Sequence, residues 1–272
     1  MSINIIMIFK AILLGIVEGL TEFLPVSSTG HLILVGDSLS FTGKFANAFN
    51  VVIQVGAIFA VVLYFWNKLF PKLNDKRQSK RVFTLWGKVI IGAIPAAVLG
   101  LMLDDYIEAH FFNSRVVAYA LIIGAILLLI SDKSNKRVRC ETVEELTIVD
   151  SFMVGVFQCM ALCPGMSRSA STIIGGRFMG LSREVAAEFS FFLALPTLGG
   201  AALLKLVKIG LDFTGFEWVL IGVGTFVSFI VALLVIALFM EYVKKKSLAP
   251  FAYYRIILGA IVLFMVFSGK LI

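Results

Sequence analysis

Six uninterrupted apolar runs, each close to the length that crosses a lipid bilayer, dominate this sequence. They cover about 50–67, 86–103, 116–131, 186–205, 216–239 and 252–269. A helix needs about 20 predominantly apolar residues to cross the hydrocarbon core. Because lipid offers no hydrogen-bond partners to the backbone, an apolar run of this kind satisfies its own N–H and C=O groups as a helix. We therefore predict an all-α polytopic membrane protein with six transmembrane helices.

The composition excludes a soluble globular domain. Of the 272 residues, 60% are hydrophobic and 15% are charged, and the mean hydropathy is +0.98, whereas about 25% of the residues in a soluble domain are charged. Glu18 interrupts the first apolar run and no small-residue cleavage site follows it, so we expect the N-terminus to be retained. Residues 1–272 are expected to form a single integral membrane domain.

Two further apolar segments, about 8–36 and 150–180, are broken at their centres by proline and small polar residues. The breaks read Pro-Val-Ser-Ser-Thr-Gly at 25–30 and Pro-Gly-Met-Ser-Arg-Ser at 164–169. Irregular backbone at membrane depth survives only where protein or a water-filled cavity satisfies it. The arms are short for crossing, which favours two re-entrant helix-break-helix hairpins over two kinked spans.

Three local matches in the same order indicate an internal duplication. Pro25 and Ser28 recur as Pro164 and Ser167, FANAFNVVIQ at 45–54 is similar to VAAEFSFFLA at 185–194, and YALIIGAI at 119–126 is similar to YRIILGAI at 254–261. With one hairpin and three crossings each, the halves 1–132 and 148–272 must have opposite orientations. The pattern predicts an inverted-topology repeat, whose two breaks meet near the middle of the membrane.

The lysine and arginine residues orient this layout. Seventeen of them fall on one side of the membrane and six on the other. Cytoplasmic loops carry the excess of positive charge, so both termini are predicted to lie outside. The larger set is Lys68, Lys72, Lys76, Arg77, Lys80, Arg81, Lys88, Lys133, Lys136, Arg137, Arg139, Arg177, Arg183, Lys244, Lys245, Lys246 and Arg255. Because the basic residues cluster in loops between spans, the net charge of +7 is not interpreted as a nucleic-acid surface.

The breaks carry charges that are costly in a membrane. Glu18 and Glu22 share one helix face, where like charges repel unless a cation or a proton lies between them. A charged side chain at a helix centre costs about 2.5–3.5 kcal/mol on insertion scales. Glu18, Glu22 and Arg168 are therefore expected to be functional, although a Glu–Arg network that only pins the hairpins together is the structural alternative.

Hydroxyl groups precede or open the second arm of each segment. The N-terminus of a helix attracts anions, and the arginine donor fork can hold two phosphoryl oxygens. A phosphate cradle is therefore predicted from both breaks together, although capping explains some of the hydroxyl groups equally well. The candidates are Ser27, Ser28 and Thr29 in the first segment and Ser167, Arg168, Ser169 and Thr172 in the second.

His31 and two polar residues on apolar spans complete the candidate set. His31 lies beside two serines and near two glutamates, an arrangement that can supply nucleophile, base and orienting acid for phosphoryl transfer. Gln54 and Glu188 lie on repeat-related spans. Glu188 is expected either to support Arg168 or to make a cap or a helix–helix hydrogen bond.

The motifs EGLTEFLPVSSTGHL at 18–32 and PGMSRSASTIIGG at 164–176 resemble those of the undecaprenyl-diphosphatase (bacitracin-resistance) family of bacterial membrane phosphatases. The resemblance implies an inverted-repeat fold and hydrolysis of undecaprenyl diphosphate, which recycles the lipid carrier for cell-wall synthesis. By motif position, the family's functional residues fall on Glu18, Glu22, Ser27, Ser28, His31, Ser167, Arg168 and Ser169. The family usually has glycine where this chain has Ala170.

A phosphatase of this kind needs the diphosphate charge to be offset. We expect Mg²⁺ or Ca²⁺ between the diphosphate and Glu22 with Glu18, because hard cations prefer oxygen ligands. Ser28 with His31 as base is the favoured nucleophile, while attack by His31 itself or by water stays open. The expected partners are a polyprenyl diphosphate and membrane lipids, with a homodimer left open and a site that opens to the outer face of the bacterial plasma membrane.

A lipid-phosphate transporter or flippase is the rival function. Secondary transporters also build midplane sites from inverted repeats with broken helices, so the fold does not decide between the two. A set that includes a nucleophile and a base favours the enzyme, because binding of an anion alone needs neither.

Overall fold

The computed structural model describes residues 2–72, 74–111, 113–133, 138–210 and 212–269. Twelve α-helices form these parts of the chain, together with two short 3₁₀ turns at Val143–Glu145 and Cys159–Leu162. The helices are α1 (Ser2–Thr21), α2 (Ser28–Ser38), α3 (Lys44–Val52), α4 (Gln54–Tyr64), α5 (Trp66–Leu69), α6 (Lys76–Phe111), α7 (Ser114–Asp132), α8 (Ile148–Gln158), α9 (Arg168–Phe178), α10 (Arg183–Ile209), α11 (Gly215–Lys245) and α12 (Ala249–Phe267).

Seven described segments are long and apolar enough to cross a membrane. They are Asn4–Thr21, Lys44–Tyr64, Lys76–Leu103, Ser114–Asp132, Arg183–Lys208, Gly215–Lys245 and Ala249–Phe267. Six of them contain or largely overlap the six predicted spans, and the all-α multi-pass membrane architecture is confirmed. The seventh belongs to α1, whose 20 residues extend about 30 Å at 1.5 Å per residue. The structure therefore corrects the expectation that both arms of the first broken segment are too short to cross.

Both predicted breaks interrupt the helices. The first lies between α1 and α2, and the second lies between the turn at Cys159–Leu162 and α9. Each break contains a proline, Pro25 or Pro164, which has no N–H group to continue a helical ladder. The second arms, α2 and α9, have 11 residues each, about 16 Å of helix and roughly half of the hydrocarbon thickness.

Close helix contacts connect each broken segment to the other half of the chain. Helix α1 packs against α11, and α8 packs against α6. At Gly15 a Cβ atom would collide with the backbone of Gly224, and at Gly155 it would collide with the backbone of Gly92. Small residues allow the backbones of membrane helices to approach closely. The two contacts hold the broken segments at fixed positions beside long helices.

Buried phenylalanine side chains of α10 pack beside the first break. Phe189, Phe191 and Phe192 of α10 are fully buried, and Phe23 contacts Phe191 edge to face at 5.0 Å between ring centroids. Aromatic pairs in this geometry add to the stabilisation from burial. Packing against α10 therefore stabilises the position of the first break.

Most of the described basic residues used to orient the chain are exposed, but Lys88, Arg177 and Arg255 are buried. Arg255 has no exposed surface and lies within α12, so it is not a loop residue. Lys136, Arg137 and Lys270 lie outside the described residues.

Candidate functional site

The two breaks meet, although they lie far apart in the chain. Arg168 Nη2 is 3.2 Å from Glu22 Oε1, and the side chains are 10% and 4% exposed. Ser169 Oγ donates to the Leu24 carbonyl at 2.8 Å. A carboxylate from the first break and a guanidinium from the second thus share one buried location.

Each second arm begins at a serine with an unusual backbone. Ser27 has φ 75° and Ser167 has φ 70°, and the two side chains accept hydrogen bonds from Gly30 N and Ala170 N at 3.3 and 3.2 Å. A residue other than glycine at positive φ is strained, and such strain concentrates at functional sites. The shared geometry identifies Ser27, and not Ser28, as the counterpart of Ser167, which corrects the pairing taken from the prolines.

Backbone amides at these helix starts are available for a ligand. The N–H groups of Ser28, Thr29, Arg168 and Ser169 have no hydrogen-bond partner in the described part of the chain. The positive ends of the α2 and α9 dipoles lie at the same place. The meeting point of the two breaks therefore favours a negatively charged group.

The Ser28 hydroxyl is paired with a carboxylate. Ser28 Oγ donates to Glu22 Oε2 at 2.5 Å, within the range of a short charge-assisted bond. The other oxygen of Glu22 faces Arg168. Glu22 is therefore the group that can take the proton of Ser28, a role that the sequence assigns to His31.

His31 has other partners. Its Nδ1 lies 2.7 Å from the Ser27 carbonyl oxygen, and its Nε2 lies 2.6 Å from the Tyr254 hydroxyl. Because a carbonyl only accepts, Nδ1 carries the hydrogen and Nε2 accepts from the tyrosine. The two rings are stacked at 5.6 Å. His31 therefore orients the first break, and Tyr254 is a neighbour that the motifs did not reveal.

Tyr254→Phe tests this contact. The substitution removes the donor to His31 Nε2 and keeps the stacked ring. We therefore expect the phosphatase activity that the motif resemblance implies to fall about two- to tenfold, the usual value of one hydrogen bond. The adjacent Tyr253 is 54% exposed, and Tyr253→Phe serves as the control. Initial rates over a pH series make the comparison. Equal rates for both variants at every pH would leave Tyr254 with a packing role only.

Arg168 is held by α10. Its Nη1 donates to the Ser190 carbonyl at 2.8 Å, and the Thr172 hydroxyl lies 2.7 Å from Ser190 Oγ. The guanidinium also lies over the Phe23 ring, 5.8 Å from its centroid. Ser190 therefore supports Arg168, a role that the sequence analysis considered for Glu188. A serine among phenylalanines gave no indication of this role in the sequence.

Three of the predicted site residues lie apart or have no side-chain contact here. Glu188 pairs with Lys68 of α5 at 2.6 Å and not with Arg168, so of the two expected roles it has the hydrogen bond between helices. Gln54 opens α4, and its side chain is partly exposed without a hydrogen-bond partner among the residues described. Thr29 is partly exposed at the start of α2.

Glu18 is fully buried, and neither carboxylate oxygen has a hydrogen-bond partner within the described ranges. A buried carboxylate without a partner is costly, so a proton or a cation is needed there. No group of three or more His, Cys, Asp and Glu among the described residues could hold a metal. Two carboxylates one helical turn apart nevertheless suit Mg²⁺ or Ca²⁺, which take further oxygen ligands from phosphate and water.

Arg255 of α12 ties both breaks together. Its guanidinium donates to the Pro25 carbonyl at 3.3 Å and to the Gly165 and Met166 carbonyls at 3.2 and 3.0 Å. Two carbonyls of α7, at Ala120 and Leu121, accept the remaining bonds. A charge inside the apolar run 252–269 was the signal in the sequence that could have identified it.

Comparison with known proteins matches this architecture to one family. The protein-family model described as bacitracin resistance protein BacA matches residues 11–261 of this chain. The chain belongs to the BacA family. Both breaks, Arg168 and Arg255 lie within the range that matches BacA.

Several BacA-like relatives are similar over nearly their whole length. The undecaprenyl-diphosphatase 1 of Clostridioides difficile (strain 630) is 50% identical over 266 residues, which cover 96% of this chain and 97% of the relative. The undecaprenyl-diphosphatase of Clostridium tetani is 50% identical over 262 residues, with 96% and 97% covered. That of Enterococcus faecalis is 45% identical over 271 residues, with 97% and 98% covered.

Proposed function

We propose that this chain hydrolyses undecaprenyl diphosphate to undecaprenyl phosphate and inorganic phosphate in the bacterial plasma membrane. The hydrolysis recycles the lipid carrier for cell-wall synthesis. The observation that carries the proposal is the buried Ser28–Glu22–Arg168 arrangement at two helix N-termini. A transporter that only binds a lipid phosphate has no need of a serine hydroxyl bound to a carboxylate.

The hydrogen bonds support a reaction in two steps. Ser28 Oγ attacks the terminal phosphorus while its proton passes to Glu22 Oε2, and the bond from that phosphorus to the bridging oxygen breaks. Glu22 passes this proton to the bridging oxygen as the lipid monophosphate leaves. Water then attacks the phosphoserine, and Glu22, again a carboxylate, takes a proton from that water and returns it to Ser28 Oγ. Inorganic phosphate departs and Ser28 regains its hydrogen. Arg168 and the free amides stabilise the charge on the transferred group, the dominant contribution in phosphoryl transfer.

The other two nucleophiles remain distinguishable alternatives. Direct attack by His31 through Nε2 would first require the loss of its bond to the Tyr254 hydroxyl, while the bond from Nδ1 to the Ser27 carbonyl could remain. Trapping of the phosphoenzyme separates the three mechanisms, because phosphate on Ser28, phosphate on His31 and no phosphoenzyme correspond to attack by serine, by histidine and by water.

Glu18 and Glu22 would hold the divalent cation, Mg²⁺ or Ca²⁺. Bound there, such an ion supplies charge neutralisation to the diphosphate. The two carboxylate oxygens of Glu18 support this assignment, since neither has a hydrogen-bond partner within the described structure. Glu18 also holds Glu22 in place through their shared helical turn, in which Glu22 N donates to Glu18 O at 2.9 Å.

Phosphate release by the purified protein in detergent with Mg²⁺ tests the proposed function. Ser28→Ala removes the attacking oxygen, and we expect the rate to fall at least about a hundredfold. Ser38 lies on the same helix and bonds only to the Leu34 carbonyl, so Ser38→Ala is the matched control. A wild-type protein that released no phosphate would favour the lipid-phosphate transporter instead. A Ser28→Ala variant with the wild-type rate would reject Ser28 as nucleophile and keep the phosphatase.

The inverted-topology repeat of halves 1–132 and 148–272, with two re-entrant hairpins, is part of the same proposal. Ser27 and Ser167 share an unusual backbone and the same capping bond, which supports the repeat. The glycine contacts of α1 with α11 and of α8 with α6 are equivalent, because in each a broken segment of one half packs against a long helix of the other half. The short second arms α2 and α9 support a return from mid-depth. In this proposal α1, although long enough to cross, is the entering arm of the first hairpin.

The orientation follows from the charges. The positive-inside rule favours termini outside and a cytoplasmic location for the loop between α4 and α6. The first break then opens toward the outer face, where we propose that the substrate headgroup enters. A homodimer stays a prediction.

A further inference from the structure

A second polar cavity, with a volume of about 450 Å³, lies apart from the Ser28–Glu22–Arg168 site. It is lined by the segment from α5 into α6, by the 3₁₀ turn at Val143–Glu145 and by Glu188 of α10. Cavities of about 300–1,000 Å³ are typical of small-molecule sites. None of its lining residues contributes to the proposed phosphatase reaction.

The lining carries an excess of positive charge. Five lysine or arginine side chains face two carboxylates, those of Glu144 and Glu188. Glu188 is already paired with Lys68 at 2.6 Å. Glu144 is exposed, so most of the cationic groups in this cavity have no carboxylate against them.

Three of these cations lie on one face of α6. Arg77, Arg81 and Lys88 are spaced by four and by seven residues, which places them on the same side of the helix. Like charges four residues apart on a helix repel each other. Neither Arg77 nor Arg81 has an ion-pair partner in the described part of the chain. An anion between them would convert this repulsion into attraction.

Lys88 distinguishes the cavity from an ordinary basic surface. It is buried, and its Nζ donates to the carbonyls of Glu144 at 2.8 Å and Val143 at 3.4 Å. No carboxylate among the described residues forms an ion pair with it. Burying an ammonium group is costly unless it is paired. An exposed polybasic segment would leave such a lysine in water, whereas here it is built into the wall.

We propose that this cavity is a second binding site, for a phosphoryl anion. Arginine matches phosphate geometry with its planar donor fork, and Arg77 with Arg81 provides two such forks in a lining that also includes Lys88. The same chemistry is offered by free inorganic phosphate and by the headgroup of an anionic phospholipid. The cavity lies in the basic loops that the charge distribution assigns to the cytoplasmic side, so its ligand comes from that side of the membrane.

Binding measured on the whole protein in nanodiscs of phosphatidylcholine tests the site. One arm adds radiolabelled inorganic phosphate, and the other adds phosphatidic acid and detects retained lipid by native mass spectrometry. The test variant is Arg77→Gln/Arg81→Gln, and the control Lys245→Gln/Lys246→Gln removes two exposed charges outside the cavity. We expect the test variant to bind at least about tenfold more weakly in one arm, with the control close to wild type.

Each outcome decides the proposal. A loss in the phosphate arm identifies a free anion as the ligand, and a loss in the lipid arm identifies a headgroup. Equal binding by both double variants in both arms overturns the site, as does absence of a second bound anion in the wild type. The melting temperature of each variant, measured without ligand, separates unfolding from loss of binding. The phosphatase site is unchanged in these variants, so retained phosphate release shows that the proposed function does not depend on the outcome.

Discussion

Arg168→Ala is expected to lower phosphate release from undecaprenyl diphosphate by about a thousandfold or more, the usual effect of removing an arginine from a phosphoryl-transfer site. The guanidinium faces the Glu22 carboxylate and is held by the Ser190 carbonyl. Without it, the negative charge that develops on the transferred group meets only backbone amides. Steady-state rates with saturating lipid substrate give the measurement, and the loss is expected in kcat more than in KM.

Two further substitutions make this result specific. Arg168→Lys keeps the charge and loses the donor fork, so we expect an intermediate rate. Arg115 is exposed at the start of α7, and Arg115→Ala is expected to retain the wild-type rate. An Arg168→Ala variant within tenfold of wild type would show that the guanidinium only pins the two breaks together.

Arg168 is also expected to stabilise the fold, an effect that can be measured separately from catalysis. Removing one member of a buried ion pair costs about 3–5 kcal/mol, because the other charge is left without its partner. Arg168→Ala should therefore also lower the melting temperature. Adding Glu22→Gln removes the stranded charge, so the double variant should recover part of the stability and none of the activity.

The membrane-spanning pattern is the part of the fold that the sequence predicts best. Lipid requires each crossing to be long, apolar and helical, so hydropathy alone locates six of the seven candidate spans. Helix α1 escapes this argument because Lys10 and Glu18 interrupt its apolar run. Charged residues do not end a helix, and the backbone continues from Ser2 to Thr21.

The register of the proposed repeat shows where residue-by-residue sequence matching fails. Aligning Pro25 with Pro164 pairs Ser28 with Ser167, but the second break contains one more residue between its proline and its capping serine. Ser27 and Ser167 are separated by the same number of positions as Ala46 and Ala186. Backbone geometry therefore pairs Ser27 with Ser167, whereas alignment of the prolines pairs Ser28 with Ser167.

Side-chain partners in the site depend on packing that no local pattern encodes. Glu188 looks like a neighbour of Arg168 from the repeat, yet its position on α10 turns it toward Lys68. The serine two residues later supports Arg168 instead. Positions two residues apart on a helix point in different directions, so Glu188 faces Lys68 whereas Ser190 faces Arg168.

Arg255→Met is expected to lower phosphate release about a hundredfold or more, although Arg255 forms no bond to a catalytic side chain, since a small misplacement of reacting groups can cost that much. The guanidinium satisfies carbonyls from both breaks, those of Pro25, Gly165 and Met166. Methionine keeps much of the volume and donates nothing. The two breaks then lose their shared anchor, and Ser28 and Arg168 no longer hold a fixed separation.

A positioning role predicts more than lost stability. Each buried carbonyl left without a partner costs about 1–3 kcal/mol, so Arg255→Met should also melt at a lower temperature. Compared with Arg255→Met, Arg255→Lys restores some of the hydrogen-bond donors. Arg255→Ala leaves space into which added guanidinium fits. Rescue of kcat by guanidinium at millimolar concentration, with KM unchanged, is expected for Arg255→Ala and not for Arg168→Lys. A different outcome would contradict the positioning role: guanidinium raises the melting temperature of Arg255→Ala but does not restore kcat. Arg255 would then stabilise the fold without aligning the two breaks.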